Sequence, residues 1–338
     1  MSLKSAPSLL LVLAGSLFCS LQAAQFDAIY AFGDSLSDVG NAYIGSGGTI
    51  PGPPYFNGQF SNGNVWVQDL ASGLGLAPLA PSLAGGNNYA VGSAETGTNV
   101  LFNDTSLLAH QIDLVNAQIP VFQTAHPVAD PNALYTIWIG SNDLAAIPPT
   151  ATAGQVQLDV GEIVGNIDSA VNALASSGAK NFLIVTVPDL GKTPEGLAAG
   201  AGVSAALSQL SASFDSTLVN GSGPLPSLAA LAAGYSANIS VLNTYSLLDS
   251  IAADPALYGF SNATDACLTN SVDFSGRTVC ATPDQYLFWD ESGHPTAAGQ
   301  QLIADAALSL VTPEPASIFL TAGGLLGLIV LSRRRYSF

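Results

Sequence analysis

The chain has 338 residues, of which 48% are hydrophobic and only 9% are charged, so it can bury a large core and is not intrinsically disordered. Seven Lys and Arg residues stand against 24 Asp and Glu residues, which gives a formal net charge of −17. Only Lys180, Lys192 and Arg277 lie away from the termini, too few cations for a basic surface that binds nucleic acid or an anionic membrane.

The first segment, residues 1–24, has the composition of a secretory signal peptide. Lys4 precedes an apolar run over residues 9–18, and the small residues Ala23 and Ala24 follow. A basic start, an apolar stretch and a small-residue cleavage point are typical of such a leader. We therefore expect signal peptidase to remove it during export.

Short β-rich runs alternate with helical stretches over residues 25–311. Predicted strands cover residues 26–32, 88–91, 134–139, 181–187 and 239–242, and predicted helices cover residues 65–73, 112–124, 155–176, 203–219 and 297–311. The strand segments are hydrophobic throughout, as expected of strands buried on both faces. This alternation predicts one α/β domain with a parallel central sheet covered by helices on both faces.

Small and polar residues follow the first three predicted strands. These clusters are Gly33-Asp34-Ser35, Gly92-Ser93 and Gly140-Ser141-Asn142-Asp143. Ligands of open α/β sheets bind outside the carboxyl ends of the strands, so we expect the clusters to share one crevice. Long loops over residues 43–64 and 72–87, rich in Gly, Pro and Asn, are expected to shape the pocket beside it.

A serine and a late histidine suggest nucleophilic catalysis in that crevice. Ser35 directly follows the first strand, and a helix is expected next, whose N–H groups could stabilise an oxyanion. Serine is a weak nucleophile that needs an imidazole base. His294 is preceded by the carboxylates of Asp290 and Glu291, either of which could orient the ring.

Four motifs in order resemble those of the GDSL, or SGNH, hydrolases. They are Gly-Asp-Ser-Leu at 33–36, Asn-Tyr-Ala-Val-Gly-Ser-Ala at 88–94, Gly-Ser-Asn-Asp at 140–143, and the stretch from Asp290 to Thr296. The resemblance implies a three-layer flavodoxin-like fold and an esterase or lipase that works through an acyl-serine intermediate. It implies no metal or organic cofactor and an ester substrate, either a small molecule or part of a polymer.

The resemblance also implies roles for individual residues. Ser35 would be the nucleophile and His294 the general base and then acid. Asp290 is the favoured acid, but the family's acid usually stands three residues before the histidine, where this chain has Glu291, so both stay open. The oxyanion hole would consist of the N–H of Ser35, an N–H at Gly92 or Ser93, and the side-chain amide of Asn142.

Cys267 and Cys280 are the two cysteines beyond the predicted leader. A pair of cysteines in an exported chain is more often a disulfide than a metal site. Zinc would need further ligands, and the chain has only three histidines. The sequence therefore predicts a disulfide between them.

The last segment, residues 312–338, joins a Pro-Glu-Pro break to an uncharged stretch over residues 318–331 and three arginines at 333–335. The uncharged stretch is shorter than the roughly 20 residues of a spanning helix. This arrangement resembles the PEP-CTERM sorting tail of exported Gram-negative bacterial proteins. It implies transient inner-membrane contact, removal by a sorting protease, and delivery to the cell surface or outside the cell. A permanent anchor is the alternative.

The rival to an enzyme is a non-catalytic exported surface or matrix protein that retains the hydrolase fold. The sorting tail suits both classes, whereas the four motifs favour the hydrolase.

Overall fold

The computed structural model describes residues 26–97, 112–271 and 276–312. The predicted leader, the segment 318–331, nearly all of the predicted tail and His110 lie outside the described residues. In the described ranges, no helix combines the length and the apolar character needed to cross a membrane.

Four parallel strands form the central sheet within this part of the chain. They are β1 (Ile29–Gly33), β2 (Leu134–Trp138), β3 (Asn181–Val185) and β4 (Asn238–Leu242), in the spatial order β1-β2-β3-β4. Almost every residue of β1 to β3 is buried, which explains their continuous apolar sequence. The carboxyl ends of these strands meet at one edge of the sheet.

Helices cover both faces of this sheet. The described helices are α1 (Asn41–Gly45), α2 (Trp66–Gly73), α3 (Ile119–Ala125), α4 (Ser141–Ala146), α5 (Ala153–Ser177), α6 (Pro194–Ala198), α7 (Ala201–Asn220), α8 (Leu228–Tyr235), α9 (Thr244–Ala253) and α10 (Ala297–Val311). Alternate strand residues serve the two faces: Phe32 packs in the core with α5 and α7, whereas Ala31 packs in the core with α2 and α10. The predicted three-layer α/β fold is confirmed.

The predicted strand over residues 88–91 is irregular. Only Asn88 forms a bridge to β1, opposite Ala31, although the N–H of Tyr89 donates to the Ala31 carbonyl (2.7 Å) and the N–H of Val91 to the Gly33 carbonyl (3.1 Å). On the side of this segment that faces away from β1, a loop residue forms the hydrogen bond: the Asn88 carbonyl accepts the N–H of Ser82 (2.7 Å). Counted as a second strand, this segment gives the order 2-1-3-4-5 of flavodoxin-like sheets.

The predicted helix over residues 112–124 begins with a π-helical turn, Leu114–Gln118, before α3. Gln118 is buried, and its side chain bonds the end of β1: its Oε1 accepts the N–H of Gly33 (2.9 Å) and its Nε2 donates to the Gly33 carbonyl (2.7 Å). These tertiary hydrogen bonds accompany the wider turn, and the periodicity of the sequence does not indicate them.

A second, smaller sheet carries the late residues of the chain and was not predicted. Its strands are β5 (Asn262–Thr269), β6 (Thr278–Val279) and β7 (Tyr286–Asp290), in the order β6-β5-β7. Cys267 of β5 and Cys280, next to β6, are joined in a disulfide with their Cα atoms 4.9 Å apart. Helices α8 and α9 were also missed.

Candidate active site

Ser35 lies on a tight turn directly after β1. The Asp34 carbonyl accepts the N–H of Ser37 (3.1 Å), and Asp34 Oδ1 accepts the N–H of Leu36 (2.9 Å). This side-chain hydrogen bond favours a turn over a helix. The helix expected after this strand is α1, which begins at Asn41, so Ser35 itself lies on the turn before that helix.

Gly33 permits the close approach that places this turn. A Cβ atom on Gly33 would lie 2.1 Å from the Trp138 carbonyl oxygen, and the φ of Gly33 is +151°. Only glycine fits between the ends of two adjacent strands here. The nucleophile candidate thus stands at the carboxyl edge of the sheet.

His294 folds back over the end of β7. The N–H of Trp289 donates to the His294 carbonyl (2.6 Å), and the Asp290 carbonyl accepts the N–H of Gly293 (3.1 Å). Gly293 has a φ of +92°, which favours glycine. The turn over residues 290–293 accommodates a carboxylate four positions before the histidine, and it brings the His294 ring back onto Asp290.

Three predicted side chains meet in a continuous chain of hydrogen bonds. Ser35 Oγ lies 2.7 Å from His294 Nε2, and His294 Nδ1 lies 2.7 Å from Asp290 Oδ2. The Asp290 side chain is 1% exposed and the His294 side chain 14% exposed. Strands of both sheets contribute, because Ser35 follows β1 and Asp290 ends β7.

The neighbouring carboxylate, Glu291, points elsewhere. Its Oε1 accepts the N–H of Asn270 (3.1 Å), and its Oε2 accepts the N–H (2.9 Å) and the hydroxyl (3.0 Å) of Ser271. Of the two acids left open by the sequence, Asp290 contacts the imidazole and Glu291 holds the loop after β5.

Asp290 and His294 stabilise each other's charged forms against the cost of burial. Burial disfavours the charged form of each group, but the charge of the partner and the hydrogen bonds between them outweigh it. As a result, the pKa of Asp290 is lowered and the pKa of the His294 imidazole is raised, with Asp34 and Glu195 adding to the second effect. Burial also raises the pKa of Asp34, next to Ser35, to about 7.

The predicted oxyanion-hole groups surround the turn after residues 88–91. The N–H of Gly92 donates to Asp38 Oδ2 (2.8 Å), so this amide is already engaged. Ser93 adopts a φ of +66°, a left-handed conformation that glycine reaches at lower cost. Asn142, on α4, donates from Nδ2 to the Ala94 carbonyl (2.8 Å), which holds its amide against this turn.

Two aromatic residues of the loop over 43–64 contact Asp290 and His294, and the sequence analysis does not predict either contact. Tyr55 Oη donates to Asp290 Oδ2 (2.7 Å), and the Phe60 ring centroid lies 5.2 Å from that of His294. No local pattern marks either residue, since both stand in a Gly- and Pro-rich loop far from residue 290. Only the folded contact reveals them.

A cleft of about 890 Å³ borders the turn that carries His294. Its lining is apolar at Pro194, Leu197 and Ala266 and acidic at Glu195 and Asp265. A separate pocket of about 220 Å³ lies beside the start of β1 and is lined by residues 76–80, 86 and 87. This part of the loop over 72–87 therefore lies at the opposite end of β1 from Ser35.

In the described ranges, no three His, Cys, Asp or Glu side chains converge as a metal ion would require. The Asp143 carboxylate accepts the N–H (2.9 Å) and the hydroxyl (2.6 Å) of Thr96.

A serine, a histidine and an aspartate in series, with the serine at the carboxyl edge of a parallel sheet, are typical of α/β hydrolytic enzymes. The chain belongs to the GDSL-like lipase/acylhydrolase family, whose model matches residues 29–307. The family resemblance of the sequence motifs is thereby confirmed.

Three relatives illustrate what the chain is similar to. The chain is 29% identical to the thermolabile hemolysin of Vibrio parahaemolyticus, over 86% of this chain and 65% of the relative. It is 28% identical to the phosphatidylcholine-sterol acyltransferase of Aeromonas hydrophila, over 90% and 86%. It is 31% identical to the esterase EstA of Pseudomonas aeruginosa, over 89% and 49%. The chain thus spans about half to two thirds of the hemolysin and of EstA.

Proposed function

We propose that this protein hydrolyses carboxylic esters through an acyl-serine intermediate. The observation that carries the proposal is the unbroken sequence of contacts from Ser35 Oγ through the His294 ring to Asp290 Oδ2, at 2.7 Å each. Nucleophile, base and orienting acid stand within hydrogen-bond reach of one another, as this chemistry requires. Family membership supports the same conclusion.

The geometry supports the following steps. Ser35 Oγ attacks the ester carbonyl while His294 Nε2 accepts its proton, and Asp290 stabilises the imidazolium. The tetrahedral intermediate collapses, and the alkoxide leaves with the proton from His294. Water then attacks the acyl-serine with His294 again as the base, which releases the carboxylic acid and regenerates Ser35. None of these steps requires a cofactor.

The oxyanion would bind the N–H of Ser35, an N–H at Gly92 or Ser93, and the Asn142 amide. The Gly92 N–H donates to the buried Asp38 carboxylate, which fixes the turn that carries both residues. The loss of one such donor typically costs about 3–4 kcal/mol of transition-state stabilisation. Asn142 is placed for this role by the loop it contacts, at the Ala94 carbonyl.

We propose neutral esters as the substrates. The cleft that borders the turn before His294 has apolar lining residues, which suit an acyl or alkyl chain, and it also carries Glu195 and Asp265. Together with a net charge of −17, these carboxylates disfavour anionic substrates. A chain-length series of p-nitrophenyl esters, run beside acetylated xylan, measures the preference.

We also propose that the protein is exported and that its tail is removed afterwards. The basic and apolar start, the disulfide and the Pro-Glu-Pro tail with its terminal arginines support this. The mass of the protein recovered outside the inner membrane tests both cleavages. Full-length protein retained in the cytoplasm would contradict the proposal.

The test of catalysis is Ser35→Ala, assayed with p-nitrophenyl acetate and with a fluorophosphonate probe. We expect kcat to fall at least 10³-fold and probe labelling to disappear, because no nucleophile remains. Ser72→Ala, an exposed serine on α2, is the matched control and should keep both. Folded wild-type protein that neither hydrolyses the ester nor reacts with the probe would instead support the non-catalytic exported protein.

A further inference from the structure

Tyr55 shares one oxygen with the catalytic histidine. Its hydroxyl donates to Asp290 Oδ2 at 2.7 Å, and His294 Nδ1 lies at 2.7 Å from that same oxygen. Among the described contacts, the other carboxylate oxygen of Asp290, Oδ1, accepts only a longer hydrogen bond, from the backbone N–H of His294 (3.3 Å). Two donors therefore compete for the charge of a carboxylate that is 1% exposed.

The position of this hydroxyl is fixed from several sides. The Tyr55 ring centroid lies 6.2 Å from those of Phe60 and Trp289, and the Arg277 guanidinium carbon lies 5.4 Å from it on the face of the ring. Arg277 in turn donates to the carbonyls of Pro53 (2.7 Å) and Ser271 (3.1 Å). Tyr55 is thus held between its own loop and the hairpin that contains the disulfide.

A hydroxyl in this position changes the basicity of the histidine. The positive end of the O–H dipole points at Oδ2, next to the Nδ1–H of His294, so it draws carboxylate charge away from the imidazole. It also lies close to the imidazolium that forms in catalysis, and like charges repel. Both effects weaken the hold of Asp290 on protonated His294.

We propose that Tyr55 is a positioning residue that shares Asp290 Oδ2 with His294 and so limits how strongly the carboxylate stabilises the imidazolium. Its contribution keeps His294 neutral, and able to accept the Ser35 proton, at lower pH than Asp290 alone would allow. As a statement about catalysis, this inference rests on the proposed function. As a statement about the basicity of His294, it can be tested without a substrate.

Other charged groups also act on His294. Asp34 from the end of β1, Glu195 from α6 and Asp290 all favour its protonated form. Arg277 carries a positive charge and lies over the Tyr55 ring. Because Tyr55→Phe removes one oxygen and leaves the ring, all four groups stay in place, and any change in His294 basicity reports the hydroxyl.

The experiment is an NMR titration of the His294 ring in the full protein, in wild type and in Tyr55→Phe. The chain has three histidines, and the resonance is assigned by its loss in His294→Asn. We expect the His294 pKa to rise by about half a unit or more, which corresponds to about a threefold change in protonation. The acid limb of kcat/KM for p-nitrophenyl acetate should move to higher pH by the same amount, with KM unchanged.

Tyr135→Phe is the matched control. Its hydroxyl donates to the Asp130 carbonyl (3.0 Å), near the start of β2 and away from the triad. It should lower the thermal midpoint to a similar degree and leave the His294 titration unchanged. An unchanged or lowered His294 pKa in Tyr55→Phe, or an equal rise in Tyr135→Phe, would overturn the inference.

The two proposals fail separately. If wild type shows no hydrolysis or probe labelling, the proposed function fails, and the NMR titration still decides the role of Tyr55. If wild type hydrolyses esters and Tyr55→Phe shows no rise in the His294 pKa, only the inference about Tyr55 fails.

Discussion

Asp290 and Glu291 are adjacent carboxylates with different partners, so one substitution at each separates orientation of the base from support of a loop. We expect Asp290→Asn to lower kcat by about 10⁴-fold, the size seen when the acid of a serine protease triad is made neutral. Glu291→Gln removes charge from contacts to Asn270 and Ser271 and should lower kcat less than tenfold. Steady-state kinetics with p-nitrophenyl acetate at fixed pH measures both.

The reverse order of these effects would assign the acid to Glu291. Equal and small losses would argue against any triad. Thermal midpoints of both variants serve as the control, since a loss of kcat with an unchanged midpoint excludes misfolding.

The residues of this site differ in how far the sequence could predict them. Ser35, His294 and Asn142 stand in short motifs whose order along the chain can be read directly. The sequence favours Asp290 but leaves Glu291 open, because the choice depends on how the turn at Gly293 closes. Tyr55 was out of reach, since its contact with Asp290 joins positions 235 residues apart.

At the scale of elements, Asp38 joins the turn after β1 to the turn after residues 88–91. Its Oδ1 accepts the N–H groups of Gly40 (2.7 Å) and Asn41 (2.6 Å), and its Oδ2 those of Ala42 (3.0 Å) and Gly92 (2.8 Å). One buried carboxylate thus begins α1 and fixes the loop that carries Ser93. The proposed nucleophile and a proposed oxyanion donor lie in the two turns that this carboxylate connects.

We expect Asp38→Ala to lower the free energy of unfolding by about 3–5 kcal/mol, because four buried N–H groups lose their acceptor. It should also lower kcat more than it raises KM, since the Ser93 loop is no longer held. Urea denaturation and steady-state kinetics measure these effects. Asp254→Ala, which removes one exposed hydrogen bond to Leu257, is the control and should cost about 1 kcal/mol or less. Equal losses in both variants would refute the role given to Asp38.

Elements of the central sheet and its long helices were predictable because their patterns are strong. Strands β1 to β3 are continuous apolar runs, and α5 carries a stripe of apolar residues with helical spacing. Strand β5 mixes polar and apolar residues and pairs with β7 through an irregular register, so no local pattern marks it. Its structure depends on partners distant in sequence and on the Cys267–Cys280 disulfide.

At the scale of the whole molecule, several buried carboxyl groups share one direction of pKa shift. Burial raises the pKa of Asp34 and Asp215 to about 7, and that of Asp38, Asp143 and Asp168 to about 6. Each group binds its proton more tightly in the folded state than in the unfolded state, where its pKa is about 4. Stability is therefore lost as the pH rises from about 4 to about 7. The raised pKa of His294 acts in the same direction.

We expect the thermal midpoint to be higher at pH 5 than at pH 8, and Asp168→Asn to reduce this difference. Asp168 is buried in α5, and neither carboxylate oxygen has a hydrogen-bond partner among the described residues. Removing its charge should stabilise the protein at pH 8, where the buried carboxylate is ionised. Scanning calorimetry at the two pH values measures the effect.

Asp159→Asn is the control for that measurement. It lies on the same helix, and Asp159 accepts a hydrogen bond from Gln155 at the surface (2.7 Å). It should leave the pH dependence as in wild type. A midpoint that rises from pH 5 to pH 8 would contradict the prediction.

The candidate site lies between the two sheets, because Ser35 follows a strand of the larger sheet and Asp290 ends a strand of the smaller one. Each sheet has hydrophobic clusters of its own. Neither half holds a complete set of reacting groups. We therefore expect the proposed hydrolysis to be lost when the two sheets separate, even where each sheet keeps its secondary structure.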